Sequence, residues 1–184
     1  MLLCGFINRT INPKSVRQSR REGMKGAVSH ELEIGLPADE IWAVYRALRL
    51  GELAVELLPN VLEKIDIIEG DGEVGTVLRL HFPAGTPMAE NYKEKFTKID
   101  DEKRIKEVHT VEGGFLQCGF HSYMVRFEII EKSEATSVIQ TTIEYEVDEQ
   151  FAANASFVST ASLATIHETV GKYLVQQNSN GSTS

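Results

Sequence analysis

Apolar and polar residues alternate with a period of two over residues 28–36, where Val28, Leu32, Ile34 and Leu36 share one parity. A short run of that kind marks a half-buried strand. Pro37 and Asp39 then open a helix, because proline suits a first helical turn and a carboxylate suits the positive helix end. Ile41, Trp42, Val44, Tyr45 and Leu48 follow at helical spacing. A second apolar stripe of Leu50, Leu53, Ala54, Leu57 and Leu58 predicts another short helix over 50–58, closed by Pro59 and Asn60. From there the period returns to two. Alternating runs at 61–68, 76–82, 92–99, 104–111, 119–131 and 136–147 are separated by polar or glycine-bearing turns. Turns recurring every ten or so residues indicate an antiparallel meander. Residues 151–177 hold no proline and one late glycine, Gly171, and their broad apolar stripe predicts one long helix, irregular around 159–162.

The order is strand, two short helices, six strands, long helix. A seven-stranded antiparallel sheet wrapped around a long C-terminal helix is an α+β, helix-grip architecture. It encloses a space between sheet and helix of the kind that takes apolar ligands. With 184 residues and no internal repeat or linker, the chain reads as one domain over 24–177. Residues 1–23 read as an N-terminal extension, since five basic residues precede the first acid, Glu22. That segment is either a disordered leader ahead of a true start at Met24 or a transit peptide. Residues 178–184 are rich in Asn, Ser and Gly and are expected to be a disordered tail.

Composition narrows the function. The net charge of −8 disfavours a phosphate backbone as partner, so nucleic acid is not expected. No run approaches the roughly 20 apolar residues of a spanning helix, and a cytoplasmic location is expected unless residues 1–23 are a transit peptide. The two cysteines, Cys4 and Cys118, are expected to be free thiols. No CxxC, HExxH or paired-His spacing occurs, so a metal site has no support. The glycine loop at 70–75 lacks the Gly-Lys-Ser/Thr ending of a phosphate cradle and reads as a strand-to-strand turn.

The chemistry-bearing residues cluster in the middle of the meander. Tyr92, Glu94 and Phe96 share one face of a strand, while Lys93, Lys95 and Thr97 take the other. The aromatic-bearing face is the better candidate for a cavity wall, and a carboxylate there loses water and rises in pKa toward neutrality. Lys106 lies on the next strand. With the turn centred near Asp100 and Asp101, Glu94 and Lys106 fall nearly opposite each other, where cross-strand Cβ atoms are about 5 Å apart. Read from the residues alone, Glu94 is a rim partner for a lysine and Lys106 a solvated strand lysine beside Lys103, Arg104 and Glu107. Phe82, Met88, Phe115, Phe120, Tyr123 and Met124 either line a pocket or fill the core.

Several segments resemble the birch pollen allergen superfamily of class-ten pathogenesis-related proteins. They are His30-Glu31-Leu32-Glu33, the run Pro37, Ala38, Asp39, Glu40, Ile41, Trp42, and the glycine loop ending in Thr76. The stretch Tyr92-Lys93-Glu94-Lys95-Phe96 and the segment closing on Lys106 are more specific, and are similar to the norcoclaurine and norbelladine synthase branch. The resemblance covers 24–177. It implies condensation of a phenolic amine with an aromatic aldehyde, without metal or organic cofactor. It also implies that Lys106, Glu94 and Tyr92 are the catalytic residues, in a substrate pocket lined by Phe96, Phe82, Phe115, Tyr123 and Val125. Norcoclaurine synthases carry an aspartate where Val125 stands, and a valine neither holds charge nor accepts a hydrogen bond. That departure favours imine formation from tyramine and 3,4-dihydroxybenzaldehyde over ring-closing condensation of dopamine with 4-hydroxyphenylacetaldehyde. A carrier of hydrophobic ligands without chemistry is the competing class, since one fold hosts both. No GxGxxG follows a strand and opens a helix, so an imine product would pass to a separate reductase.

Overall fold

A computed structural model describes residues 23–86 and 91–181. The expected leader before residue 23, Cys4, Met88 and residues 182–184 lie outside the described residues. The chain runs β1 (Gly23–Ile34), α1 (Ala38–Tyr45), α2 (Arg49–Leu57), β2 (Lys64–Glu69), β3 (Val77–His81), β4 (Asn91–Asp100), β5 (Ile105–Gly113), β6 (Phe120–Ser133) and β7 (Thr136–Asp148). A 3₁₀ segment (Glu149–Phe157) then leads into α3 (Ala161–Gly181).

The seven strands form one antiparallel sheet in the order β1-β7-β6-β5-β4-β3-β2. Every neighbour is a chain neighbour except β1, which pairs with β7 along its whole length, from Gly23 opposite Asp148 to Ile34 opposite Ser137. That pairing carries β1 several residues before the expected start at 28. The inward residues of β7, among them Ile139, Thr141 and Ile143, are fully buried beneath the helices. One apolar cluster joins α1 and α2 to Phe96, Val108, Phe127, Ile129 and the α3 residues Ile166 and Val170. A second, smaller one gathers Phe120, Tyr123, Ile143, Val147 and Val158 at the other end of the sheet. Gly171 lets α3 approach β1 closely: a Cβ there would stand 2.7 Å from Ile34 Cδ1.

Sequence periodicity placed one helix over 151–177, and the structure divides it. Asp148 accepts a bond from the Gln150 amide at 3.1 Å and starts the 3₁₀ segment. Phe151 leaves helical geometry, and Val158 is extended. Ser159 Oγ then accepts from the Ala161 amide at 3.1 Å, so the helix proper begins at a serine that competes for its own backbone. At the far end the expected tail is helical as far as Gly181. Asn178 Nδ2 donates to Glu40 Oε2 of α1 at 2.6 Å, which ties down a segment that composition alone reads as loose. Among the described residues no helix is long and apolar enough to cross a membrane.

A buried polar knot also joins helices to sheet. His167 of α3 meets the Tyr45 hydroxyl through Nδ1 at 2.6 Å and the Thr141 hydroxyl through Nε2 at 2.9 Å. Burial lowers the His167 pKa to about 3, so the ring is neutral and serves as a hydrogen-bonding strut.

Candidate active site

The space between sheet and helices is a cavity of about 350 Å³. Its walls come from the α1–α2 joint and α2, from β2 to β6, from Phe157 and Ser159 just before α3, and from Ser162, Leu163 and Ile166 in its first turns. All five pocket residues expected from sequence line it: Phe82, Phe96, Phe115, Tyr123 and Val125. Phe120 and Met124 are instead core residues. Phe115 stacks on Tyr123 with ring centroids 4.3 Å apart, and Phe82 on Tyr92 at 5.2 Å.

Within these walls stand Tyr92, Glu94 and Lys106. The alternation of β4 brings Tyr92, Glu94 and Phe96 inward. The opposite face is solvated, where Lys93 bonds Glu112 at 2.6 Å and Thr97 meets His109 at 2.8 Å. Lys106 is not a solvated strand lysine, for it is only 4% exposed.

Register corrects one expectation. Glu94 lies opposite Thr110, and Lys106 lies opposite Ile99, so the two are not cross-strand partners. The turn occupies residues 101–104, with Asp100 Oδ1 accepting from the Lys103 amide and Arg104 at a positive φ of 51°. This moves the hairpin centre past the point the sequence suggested. A bulge between Phe96 and Lys98 then reverses the alternation, so that Ile99 and Lys106 face inward together with Glu94 and Phe96. The two ionisable groups share the cavity from different heights along the hairpin.

Lys106 Nζ donates to the Ala47 carbonyl at 2.7 Å. It also sits 3.5 Å from the centroid of the Phe96 ring, in cation–π geometry. Ala47 lies in the bend between α1 and α2, where helical carbonyls lack intrahelical donors. Burial lowers the Lys106 pKa to about 8; the Glu94 charge opposes that shift and the Arg46 charge adds to it. Burial pushes Glu94 up to about 7, against the pull of the Lys106 charge. Tyr92 is held well above its ordinary value by burial first, then by the charges of Glu94 and Tyr123. A carboxylate and an ammonium that both titrate near neutrality, inside an apolar cavity, can exchange protons with a reacting molecule. Among the described residues no three His, Cys, Asp or Glu side chains gather as metal ligands would.

Two features of the site were not visible in the sequence. The Ala47 carbonyl is a backbone group, and no side-chain pattern announces it. The helix-side wall from Phe157 to Ser162 depends on the break before α3, which a continuous apolar stripe conceals.

The model of the pathogenesis-related protein Bet v 1 family matches residues 23–177. The chain belongs to that family. Norbelladine synthase of Narcissus pseudonarcissus is 54% identical over 157 residues, covering 85% of this chain and 96% of that protein. S-norcoclaurine synthase 2 of Papaver somniferum is 41% identical, covering 84% of this chain and 67% of its own length. Among solved structures, norcoclaurine synthase of Thalictrum flavum in complex with dopamine and hydroxybenzaldehyde superimposes with a TM-score of 0.78 at 32% identity, covering 92% of this chain and 98% of that one. This Bet v 1 family chain thus shares its fold and most of its length with enzymes named norbelladine synthase and norcoclaurine synthase.

Proposed function

We propose that the cavity condenses tyramine with 3,4-dihydroxybenzaldehyde to the imine that precedes norbelladine. The observation that carries this reading is a buried lysine and a half-buried glutamate in one largely apolar cavity. A pure carrier has no use for two ionisable groups whose burial costs stability. Relatives named norbelladine and norcoclaurine synthase supply the reaction class, and Val125 supplies the choice within it.

The chemistry divides between the two groups. The amine nitrogen attacks the aldehyde carbon, forming a C–N bond while the carbonyl π pair moves to oxygen. Lys106 donates a hydrogen bond to that oxygen and passes it a proton, giving the carbinolamine hydroxyl. Glu94 takes the surplus proton from nitrogen. Return of that proton from Glu94 to Lys106 through solvent restores the ammonium, which protonates the hydroxyl. The nitrogen lone pair then expels it as water, and the last N–H proton passes to Glu94 and on to Lys106, leaving the neutral imine. Both groups return to their starting states, so the products are imine and water with no net redox change. Tyr92, stacked on Phe82, shapes the aromatic wall against which one ring lies. Holding two single-ring reactants together in a cavity of this size supplies the orientation that free reactants lack. Reduction to norbelladine falls to a separate reductase.

The purified chain is given tyramine and 3,4-dihydroxybenzaldehyde with a chemical trap that reduces imines, and the amine product is quantified by mass spectrometry. Formation above the protein-free background supports the reading. Ring-closed product from dopamine and 4-hydroxyphenylacetaldehyde instead would favour the norcoclaurine type. No enhancement with either pair would leave a hydrophobic-ligand carrier.

A further inference from the structure

The Lys106 ammonium is held by a backbone carbonyl, and a backbone carbonyl stays in place only if its chain segment does. Ala47 sits in the three-residue bend between α1 and α2, with no helix of its own to fix it. Its neighbour Arg46 supplies the anchor. The Arg46 guanidinium donates through Nη1 to Glu73 Oε1 at 2.7 Å and through Nη2 to Glu73 Oε2 at 3.2 Å. It donates also through Nε to Asp101 Oδ1 at 2.8 Å, the oxygen that receives Trp42 Nε1 at 2.9 Å. Glu73 belongs to the glycine loop between β2 and β3, and Asp101 to the turn of the β4–β5 hairpin that bears Glu94 and Lys106. One planar guanidinium therefore ties three separate segments around the carbonyl that holds the lysine.

The glycine loop backs the same point from the other side. Gly72, at a φ of 105°, lies so close to the bend that a Cβ on it would stand 3.2 Å from Ala47 Cβ. Thr76 Oγ1 accepts the Gly72 amide at 2.9 Å and fixes the loop's own shape. The loop that reads in sequence as a strand-to-strand turn is thus packed against the α1–α2 bend as a buttress.

We propose that Arg46 is a positioning residue for the reaction: its clasp on Glu73 and Asp101 sets the Ala47 carbonyl, which fixes the Lys106 ammonium in the cavity. This rests on the reading of Lys106 as the reacting cation. Arg46 touches no reactant.

The test compares three variants of the full chain. Arg46→Met removes the clasp and the charge. The double change Glu73→Gln with Asp101→Asn keeps the guanidinium but removes both anions. Arg46→Lys keeps a charge that cannot grip two carboxylates in parallel. Turnover is measured with tyramine and 3,4-dihydroxybenzaldehyde, and the freedom of Lys106 is measured separately as its rate of acetylation by acetic anhydride, read by mass spectrometry. Arg46→Met and the double variant should each lower kcat about tenfold with KM little changed, the scale of one hydrogen bond to a charged group. Both should speed Lys106 acetylation, and Arg46→Lys should restore part of each. If Arg46→Met lowers kcat while the double variant leaves kcat and acetylation unchanged, Arg46 acts only as a charge and the clasp is refuted. Unchanged Lys106 acetylation in every variant also overturns it. Should the unaltered chain show no turnover, the proposed reaction fails by itself, and the acetylation rates still decide whether the clasp holds the lysine. If Arg46→Met does not fold, the double variant carries the test.

Discussion

Replacing Glu94 with glutamine separates what the carboxylate does for the reaction from what it costs the fold. Burial raises the folded-state pKa of Glu94 from 4.5 to about 7. In the unfolded chain the group ionises near its ordinary value, so between those two values the folded state holds more protons. The direction of linkage follows: the ionised form costs stability, and that cost grows as pH rises through the window and is fully present above about 7. The shift of two to three pH units corresponds to about 3 kcal/mol at 1.36 kcal/mol per unit. Solvent reaching the carboxylate through the cavity mouth makes that an upper limit. Glutamine imitates the protonated carboxyl, so Glu94→Gln should be more stable than the unaltered chain at about pH 8 and close to equal at about pH 5. For a chain of this length, 3 kcal/mol corresponds to a rise in Tm of roughly 6–12 °C. Thermal unfolding followed by circular dichroism at both pH values gives the difference directly. The same variant should lose about 10²- to 10⁴-fold in kcat, the usual contribution of a positioned proton-transfer group. A stability difference that does not change between the two pH values would refute the claim that the cavity withholds water from an ionised Glu94.

Other outcomes follow from the same geometry. The pH profile of kcat/KM should be a narrow bell, rising through about 7 as Glu94 ionises and falling through about 8 as Lys106 loses its proton, with both limbs belonging to the pair; a flat profile across that range would exclude these groups. Val125→Asp places a carboxylate on the cavity wall between Val108 and Ile143, and should lower stability by about 1–3 kcal/mol while shifting product from dopamine and 4-hydroxyphenylacetaldehyde toward the ring-closed form; chromatographic product analysis decides. Tyr45→Phe strips the His167 Nδ1 of its partner inside the core and should cost about 1–3 kcal/mol in denaturant unfolding with little change in KM.

Much of this architecture was legible because its signals are local. The period-two runs of β3 to β7 and the stripes of α1 and α2 survive almost residue for residue, since each strand buries one face and each helix one stripe. The expected pocket wall was legible for the same reason: once Phe96 faces inward, so do Tyr92 and Glu94. What could not be read is set by contacts distant in sequence. The β4–β5 register turns on a left-handed Arg104 and a bulge after Phe96, neither of which has a glycine or proline to announce it. The break before α3 comes from serine and aspartate side chains bonding their own backbone within an apolar stripe. The partner of Lys106 is a carbonyl 59 residues away, and the burial of the lysine depends on that fold-level meeting.

The most direct test of the catalytic cavity is Lys106→Met, with turnover and binding measured on the same protein. Methionine fills the volume of the lysine stem and removes a charge that is buried at a cost, so the fold should persist. Imine formation from tyramine and 3,4-dihydroxybenzaldehyde should fall to the protein-free rate, while titration calorimetry still detects the aldehyde entering the cavity. Turnover that survives the loss of Lys106 would contradict the central role given to this lysine.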